Sequence, residues 1–346
     1  MKNEGLFLTD THVLEIRDMP MPDVKDDEIL IKTAHVGICG SDLHFYDNAH
    51  PKIKARPWEL PIVCGHEAAG YVVGVGKNVK NFKEGDRVAL EPGVPCGECD
   101  YCRKGLYNLC RKMSFISSPP NVGAFRRYIN FPANMCFKLP DNVSTVEGAL
   151  FEPLAVGLHA NALADVKLGD TVVVFGSGCI GIVNMMVAKA RGASTVIVID
   201  IFDKRLEKAK ELGADYVINS KECDPVAKVR EILGDGPDVI LECAGAPVVV
   251  EQCFYMAKAD TIIAFVSSMG GDYRYSSAAV MLKEVRTVTV FRYRNQYPVA
   301  LNAVSSGTID VKKIATHFYK FEDGARAFDE ALNNKIEVVK GVIDFT

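Results

Sequence analysis

No stretch of this chain approaches the roughly 18 uninterrupted apolar residues of a membrane span, so no membrane-crossing segment is expected. No block of Lys and Arg forms a stripe. The 40 basic residues are scattered among 44 acidic ones, for a net charge of −4. That excludes the electrostatic footprint of a nucleic-acid or membrane-surface binder. No internal repeat or low-complexity linker interrupts the chain. The opening MKNEGLFLTDTHVLEIRD is charged and broken by Asp10, unlike a secretory leader. The expected compartment is the cytoplasm, where thiols stay reduced.

Cysteine, by contrast, is plentiful, at 11 residues. In a reducing compartment so many thiols point to metal or catalysis before disulfides. The rest of the composition, 48% apolar and 24% charged over 346 residues, suits a soluble globular protein of one large or two medium domains.

The chain changes character twice. Residues 1–155 read as short strands with frequent turns. EILIKTAHVGIC, EAAGYVVGVGK and GDRVALEPG are Val- and Ile-rich runs bounded by Gly, Asp and Pro. From 156 to 294, the short apolar runs VVVFG, TVIVID, DYVIN, DVILECAG and TIIAFVS alternate with helical or mixed stretches. The clearest helix, DKRLEKAKELG, closes at Gly213. Such alternation predicts a parallel sheet covered on both faces. Residues 295–346 return to mixed character and end in the strand-like VVKGVIDF. The expected class is α/β, with a β-rich domain from 1–155 and 295–346 and a doubly wound parallel sheet at 156–294.

In the second domain VVVFGSGCIG places Gly176, Gly178 and Gly181 as GxGxxG directly after a strand, with Ile180 inside the turn. IVNMMVAKARG then opens a helix. Gly176 permits the tight turn, Gly178 lets a pyrophosphate approach the backbone, and Gly181 lets helix and strand pack closely. The phosphates would sit at a helix N-terminus, where free N–H groups favour anions. The next strand, TVIVID, ends in Asp200, 19 residues beyond Gly181, placed to accept hydrogen bonds from an adenosine ribose. Its carboxylate would repel a 2′-phosphate, so NAD is expected over NADP. Arg205, on the following helix, flanks the adenine or faces solvent.

The first domain holds the candidate chemistry. GICGSDLHF supplies Cys39, Ser41, Asp42 and His44, GHEAAG supplies His66 and Glu67, and ALFEPLAVGLH supplies Glu152. Cys39, His66 and a carboxylate make a zinc set of mixed S, N and O ligands. Three protein ligands plus water leave the open position of a catalytic site. Each residue alone has a plainer role, as a small buried thiol, a satisfied histidine or a turn-capping glutamate. Their joint presence beside a dinucleotide turn favours the metal. Cys96, Cys99, Cys102 and Cys110 follow C-x2-C-x2-C-x7-C. Four thiolates at such spacing can close a tetrahedron around one zinc and leave no place for substrate, which is a structural site. Cys64, Cys136, Cys179, Cys223, Cys243 and Cys253 lie in or beside apolar runs and are expected in the core.

Taken in order, GICGSDLH, GHEAAG, CGECDYCRKGLYNLC and VVVFGSGCIG resemble the zinc-dependent medium-chain dehydrogenases over nearly the whole chain. ALEPGVP at 89–95, LYNLC at 106–110, ALFEPLAVGLHA at 149–160 and TVTVFRYRNQYPVAL at 287–301 look most like the sorbitol, or polyol, dehydrogenase branch. Threonine dehydrogenases typically have FDPFGN where this chain has FEPLAVG. Other alcohol dehydrogenases carry a third zinc-binding cysteine near Glu152, where this chain has none.

The resemblance implies a GroES-like catalytic domain, a Rossmann NAD domain, about two zinc ions per chain and a homotetramer or homodimer. It implies hydride transfer from a secondary hydroxyl of a sugar alcohol to NAD, giving a ketose. L-Threonine 3-dehydrogenase, or another zinc alcohol dehydrogenase, is the alternative. A non-enzymatic relative would be expected to lack zinc ligands, whereas Cys39, His66, Glu67 and Glu152 are all present. In polyol dehydrogenases the residue matching Glu67 commonly ligates zinc, and the one matching Glu152 acts through the bound water or exchanges with it. Both remain candidates. Asp42 would accept a hydrogen bond from the far nitrogen of His66. Ser41 would start a proton relay that His44 passes toward solvent, although a plain surface histidine is an equal reading of His44. Arg292 and Tyr293 match a pair near nicotinamide and substrate, where a guanidinium suits vicinal hydroxyls. Phe115 resembles a pocket-lining aromatic, and Phe45 falls at a substrate-contact position where relatives often have Tyr, so one hydroxyl contact would be missing.

Overall fold

A computed structural model of the chain describes residues 2–47, 60–267 and 274–346. Packing divides it into two units, Met1–Glu152 with Tyr297–Thr346, and Pro153–Gln296.

The first unit is β-rich. Its largest sheet has seven strands, with Glu28–Gly37 inside it. Ile29, Ile31, Ala34 and Val36 from that strand are fully buried, and Ile29, Ile31 and Val36 join one core with Phe125 and Phe328. On one side Glu67–Val75 runs antiparallel, with Gly37 opposite Glu67. On the other, Tyr128–Pro132 pairs with the first half and Gly341–Asp344 with the last, with Gly37 opposite Val342. Three chain segments therefore converge where the central strand ends: Ile38–Cys39, Gly65–His66 and Lys340–Gly341. A two-stranded ladder, Gly93–Val94 with Ser114–Phe115, closes the base of the cysteine lobe.

The second unit holds six parallel strands. They are β1 Thr171–Phe175, β2 Thr195–Asp200, β3 Tyr216–Asn219, β4 Val239–Glu242, β5 Ile262–Phe265 and β6 Arg286–Thr289. Their spatial order is β3-β2-β1-β4-β5-β6, the order of dinucleotide-binding sheets. Val172–Phe175 and Val196–Ile199 are buried at every position. Burial on both faces is why these runs show no polar alternation. Helix Asp203–Glu211 follows β2, and Gly213 beyond it takes a φ of +111°. β6 lies at the sheet edge and is mostly exposed. The alternation of apolar runs stopped short of it because an edge strand needs few apolar residues.

The expected α/β class, a β-rich unit plus a parallel sheet, is what the structure shows. The six cysteines expected in the core do not all lie there. Cys64, Cys136 and Cys253 are buried, but Cys223 is exposed, and Cys179 and Cys243 are half-buried. A neighbouring apolar run does not fix which way a single loop or helix-end side chain turns. Among the described residues, no helix is long and apolar enough to cross a membrane.

Candidate metal centres and dinucleotide turn

Strand register assembles the first centre. Because Gly37 faces Glu67, the chain leaving one strand and entering the next brings Cys39 to His66. The Cys39 Sγ, a His66 ring nitrogen and a Glu67 carboxylate oxygen lie within 4.8 Å of one another. A Cβ at Gly37 would collide with the Glu67 carboxylate, so glycine there makes room for it. Glu67 also accepts from Lys340 Nζ, at 2.7 and 2.8 Å to its two oxygens.

Asp42 is fully buried below this centre, and burial foremost raises its carboxyl above the ordinary value. It stands 3.7 Å from His66 Nδ1, an ion-pair distance and not a hydrogen bond. Its hydrogen bonds come instead from the Cys39 N–H and the Gly65 N–H, both at 3.0 Å, and from Ser117 Oγ at 3.4 Å. Asp42 thus fixes the backbone on both sides of the centre, a role that sequence spacing did not reveal. Burial alone would depress His66, but Cys39, Asp42 and Glu152 outweigh it and hold the imidazole well above 6.5. A half-buried thiolate with a buried imidazole and a buried carboxylate, together rich in negative charge, fits a zinc ion.

The second centre is the cysteine lobe. Zn–S bonds of about 2.3 Å imply S–S edges of about 3.8 Å in a tetrahedron. Cys99–Cys102 and Cys96–Cys110 are each 3.5 Å apart, and Cys96–Cys102 and Cys99–Cys110 each 4.0 Å. These separations bracket the zinc value. The Cys96 N–H donates to Cys110 Sγ at 3.3 Å. The Cys102 N–H is the foremost cause holding the Cys99 thiol down to about 6. Backbone donors aimed at the Cys99 sulfur favour its thiolate, the form that binds metal, whereas burial and the neighbouring sulfurs push the Cys102 thiol up to about 12.

Two further contacts run from the lobe toward the first centre. Phe115, on the strand that closes the lobe, has its ring centroid 5.4 Å from that of His66. Tyr107 Oη donates to Glu91 at 2.6 Å. Glu91 is buried, and Glu152 acts on its charge. Nothing in the spacing of ALEPGVP singled out Glu91.

In the second unit the glycine turn has the shape that phosphates need. Gly176 takes a φ of +87°, and a Cβ there would press on Ala244 at 3.1 Å. A Cβ at Gly181 would collide with the Gly176 carbonyl, so only glycine lets helix Cys179–Ala190 start so close to β1. A Cβ at Gly178, the cap of that helix, would meet nothing nearer than Arg205 Nη1 at 3.8 Å. That open cradle beside a guanidinium fits a pyrophosphate. Ile180 lies in the first turn of the helix.

Asp200 is buried at the end of β2, and its oxygens take four donors. Oδ2 accepts from the Ser177 N–H at 2.7 Å and Ser177 Oγ at 3.0 Å, and Oδ1 from the N–H groups of Ile201 at 2.7 Å and Phe202 at 3.1 Å. A carboxylate has about four acceptor sites. A ribose hydroxyl would therefore share with Ser177 or displace its hydroxyl.

Ser41 and the exposed His44 lie on helix Gly40–Tyr46. Phe45 is 6% exposed and packs in the core of the first unit. Glu152 is buried in the first turn of helix Phe151–Leu163. Arg292 and Tyr293 stand in the second unit, on a segment where Arg292 and Asn295 both take positive φ, 53° and 57°. Two non-glycine residues in that region are held there by their surroundings.

Residues 25–141 match the family model described as the alcohol dehydrogenase GroES-like domain, and residues 179–306 the one described as zinc-binding dehydrogenase. The chain is 44% identical to an uncharacterized zinc-type alcohol dehydrogenase-like protein, YdjJ, of Escherichia coli strain K12, over 99% of both chains. It is 39% identical to the sorbitol dehydrogenase of Bacillus subtilis strain 168, over 98% of this chain and 96% of that one. A crystal structure of an E. coli oxidoreductase/dehydrogenase of unknown specificity superposes over 100% of both chains, with a TM-score of 0.96 and 42% identity. An E. coli alcohol dehydrogenase complexed with NADH superposes at a TM-score of 0.92 and 28% identity, over 99% of both chains. A zinc-binding dehydrogenase of Sinorhizobium meliloti bound to NADP does so at 0.92 and 27%, over 100% of both. With these motifs, this two-unit fold and relatives matched end to end, the chain belongs to the zinc-dependent medium-chain dehydrogenases, on their sorbitol dehydrogenase branch.

Proposed function

We propose that this protein oxidises a secondary hydroxyl of a sugar alcohol to a ketose, with NAD as hydride acceptor. The observation that carries the reading is the convergence of Cys39, His66 and Glu67 within 4.8 Å. These residues would hold the catalytic zinc, and Cys96, Cys99, Cys102 and Cys110 a structural one. A bound zinc supplies Lewis-acid polarisation of a hydroxyl near neutral pH. Asp42 keeps Cys39 and His66 at their separation through its backbone bonds. Glu152, whose charge acts on His66, would ligate the metal in exchange with Glu67 or act through the bound water. Ser41 would accept the hydroxyl proton as it hands its own on, and His44, three residues along the same short helix, would pass that proton to solvent. Phe115 covers the His66 ring, and Arg292 offers donors to vicinal hydroxyls. Gly176, Gly178, Ile180 and Gly181 form the phosphate turn with Arg205 beside it, and Asp200 favours NAD over NADP.

The proposal extends to a homotetramer or homodimer in the cytoplasm. The exposed edge strand β6, with Leu282 and Phe291 exposed near it, supports association. Unpaired cysteines support a reducing compartment.

The test is a panel of sorbitol, xylitol, iditol and arabinitol, with threonine and simple alcohols, read by NADH absorbance. A polyol should give the highest kcat/KM with NAD. Turnover of threonine or ethanol above every polyol, or of NADP above NAD, would overturn the reading.

A further inference from the structure

Lys340 is a buried cation to which the reaction above gives no part. It is 4% exposed and immediately precedes strand Gly341–Asp344. Its Nζ donates to both oxygens of Glu67, at 2.7 and 2.8 Å, and to the Ile38 carbonyl at 2.9 Å. Those contacts use the three donors of an ammonium. Glu67 is itself 1% exposed. A buried ion pair this well satisfied holds its geometry, because removing either partner strands the other charge away from water.

Topology explains the meeting. Glu67 and Lys340 lie on opposite flanks of the central strand Glu28–Gly37. The Glu67 carboxylate reaches across at Gly37, where a side chain would block it. The same carboxylate is within 4.8 Å of the Cys39 sulfur and a His66 nitrogen. It therefore stands between two cationic positions, the Lys340 ammonium and the metal centre.

We propose that Lys340 is a positioning residue that competes with zinc for the Glu67 carboxylate and so sets how tightly the catalytic metal is held. The inference rests on the reading that Cys39, His66 and Glu67 bind zinc. In the metal-free protein Lys340 is the counter-ion of Glu67. When zinc is bound, the ammonium still draws on that carboxylate and weakens it as a ligand. Removing the ammonium leaves zinc as the counter-ion. The metal-free form then loses a partner for a buried charge, and the zinc form loses less.

The experiment compares wild type, K340M, K340R and E67Q/K340M, with H66A marking which zinc belongs to the Cys39 centre. Zinc transfer to a competing chelator and melting temperature with and without zinc are measured. K340M should hold that zinc about tenfold or more tightly, the scale of partners around metal ligands. The gap between its zinc-loaded and stripped melting temperatures should widen. K340R should behave like wild type, and E67Q/K340M should lose the widened gap. Unchanged or weaker zinc retention in K340M overturns the proposal. If K340M is recovered only when zinc-loaded, the metal has replaced the lysine, as proposed. If K340M fails to fold with zinc and E67Q does not restore it, Lys340 serves the fold through Ile38 and the proposal falls. Polyol turnover is not read, so a wrong substrate class leaves the result standing. A wild type with no zinc at Cys39 overturns both readings, whereas unchanged retention in K340M overturns this one alone.

Discussion

Replacing Glu91 by Gln removes one ionisable group from the interior of the first unit. Glu91 is 3% exposed and accepts a hydrogen bond from Tyr107 at 2.6 Å. Burial foremost raises its carboxyl to about 7; the Tyr107 bond opposes this, and the charge of Glu152 adds to it. In the unfolded chain the same carboxyl titrates near 4.5. Between pH 4.5 and 7 the folded form therefore keeps a proton that the unfolded form has released. Stability from this group is complete below the unfolded value, falls as pH rises through the window, and levels off above the folded value. At about 1.4 kcal/mol per pH unit, the loss amounts to roughly 3 kcal/mol. Glutamine is neutral throughout and still accepts from Tyr107 through its amide oxygen. E91Q should match wild type near the bottom of the window and exceed it by about 3 kcal/mol above it, or about 4 °C in Tm for a chain of this length. Paired thermal or urea melts of the zinc-loaded proteins across this pH range make the test, since other titrating groups cancel in the difference. A gap that does not grow with pH, or a wild type that is the more stable on the alkaline side, refutes the reasoning.

His66→Ala should abolish turnover, by about a thousandfold or more given the several kcal/mol a Lewis acid contributes, while NADH fluorescence titration shows binding intact. Cys99→Ser should reduce zinc from about two ions per chain to about one and lower the melting temperature, because a closed four-thiolate site is coupled to local folding. Some polyol oxidation should survive in the cold, reduced because Phe115 closes the lobe beside His66. If Cys99→Ser melts like wild type yet is inactive, the two metals have been assigned the wrong way round. Asp200→Ala should weaken NAD binding by roughly tenfold, the value of one hydrogen bond to a charged group, and relax discrimination against NADP. Isothermal titration with both cofactors checks it, and an unchanged NAD affinity would mean that Ser177, not ribose, is the partner of this carboxylate.

The motifs legible in the sequence are those whose chemistry is local. C-x2-C-x2-C-x7-C brings its sulfurs within 3.5–4.0 Å because a helix turn and two tight loops suffice. The glycine turn announces itself for the same reason: positive φ at Gly176 and contact at Gly181 are demands made within six residues. The parallel sheet was legible because strands buried on both faces must be apolar throughout, and β6 was not because an edge escapes that demand.

Cys39, His66 and Glu67 were nameable from their types and from a family resemblance, and what joins them is the register that sets Gly37 opposite Glu67. Asp42 was read as a partner of His66, yet its hydrogen bonds come from the Cys39 and Gly65 N–H groups and the Ser117 hydroxyl, because a fully buried carboxylate accepts from whatever donors lie beside it. Phe45 looked like a pocket residue by position and lies in the core, since a seven-residue helix must turn one face inward. Lys340, 273 residues from Glu67, had no local signal at all. Local spacing thus determined the cysteine lobe, the dinucleotide turn and the class of fold, since neighbours in the chain are neighbours in space whatever else happens. Tertiary structure alone decided which carboxylate faces which cation, because strand order and register choose contacts across hundreds of residues that no pattern along the chain records.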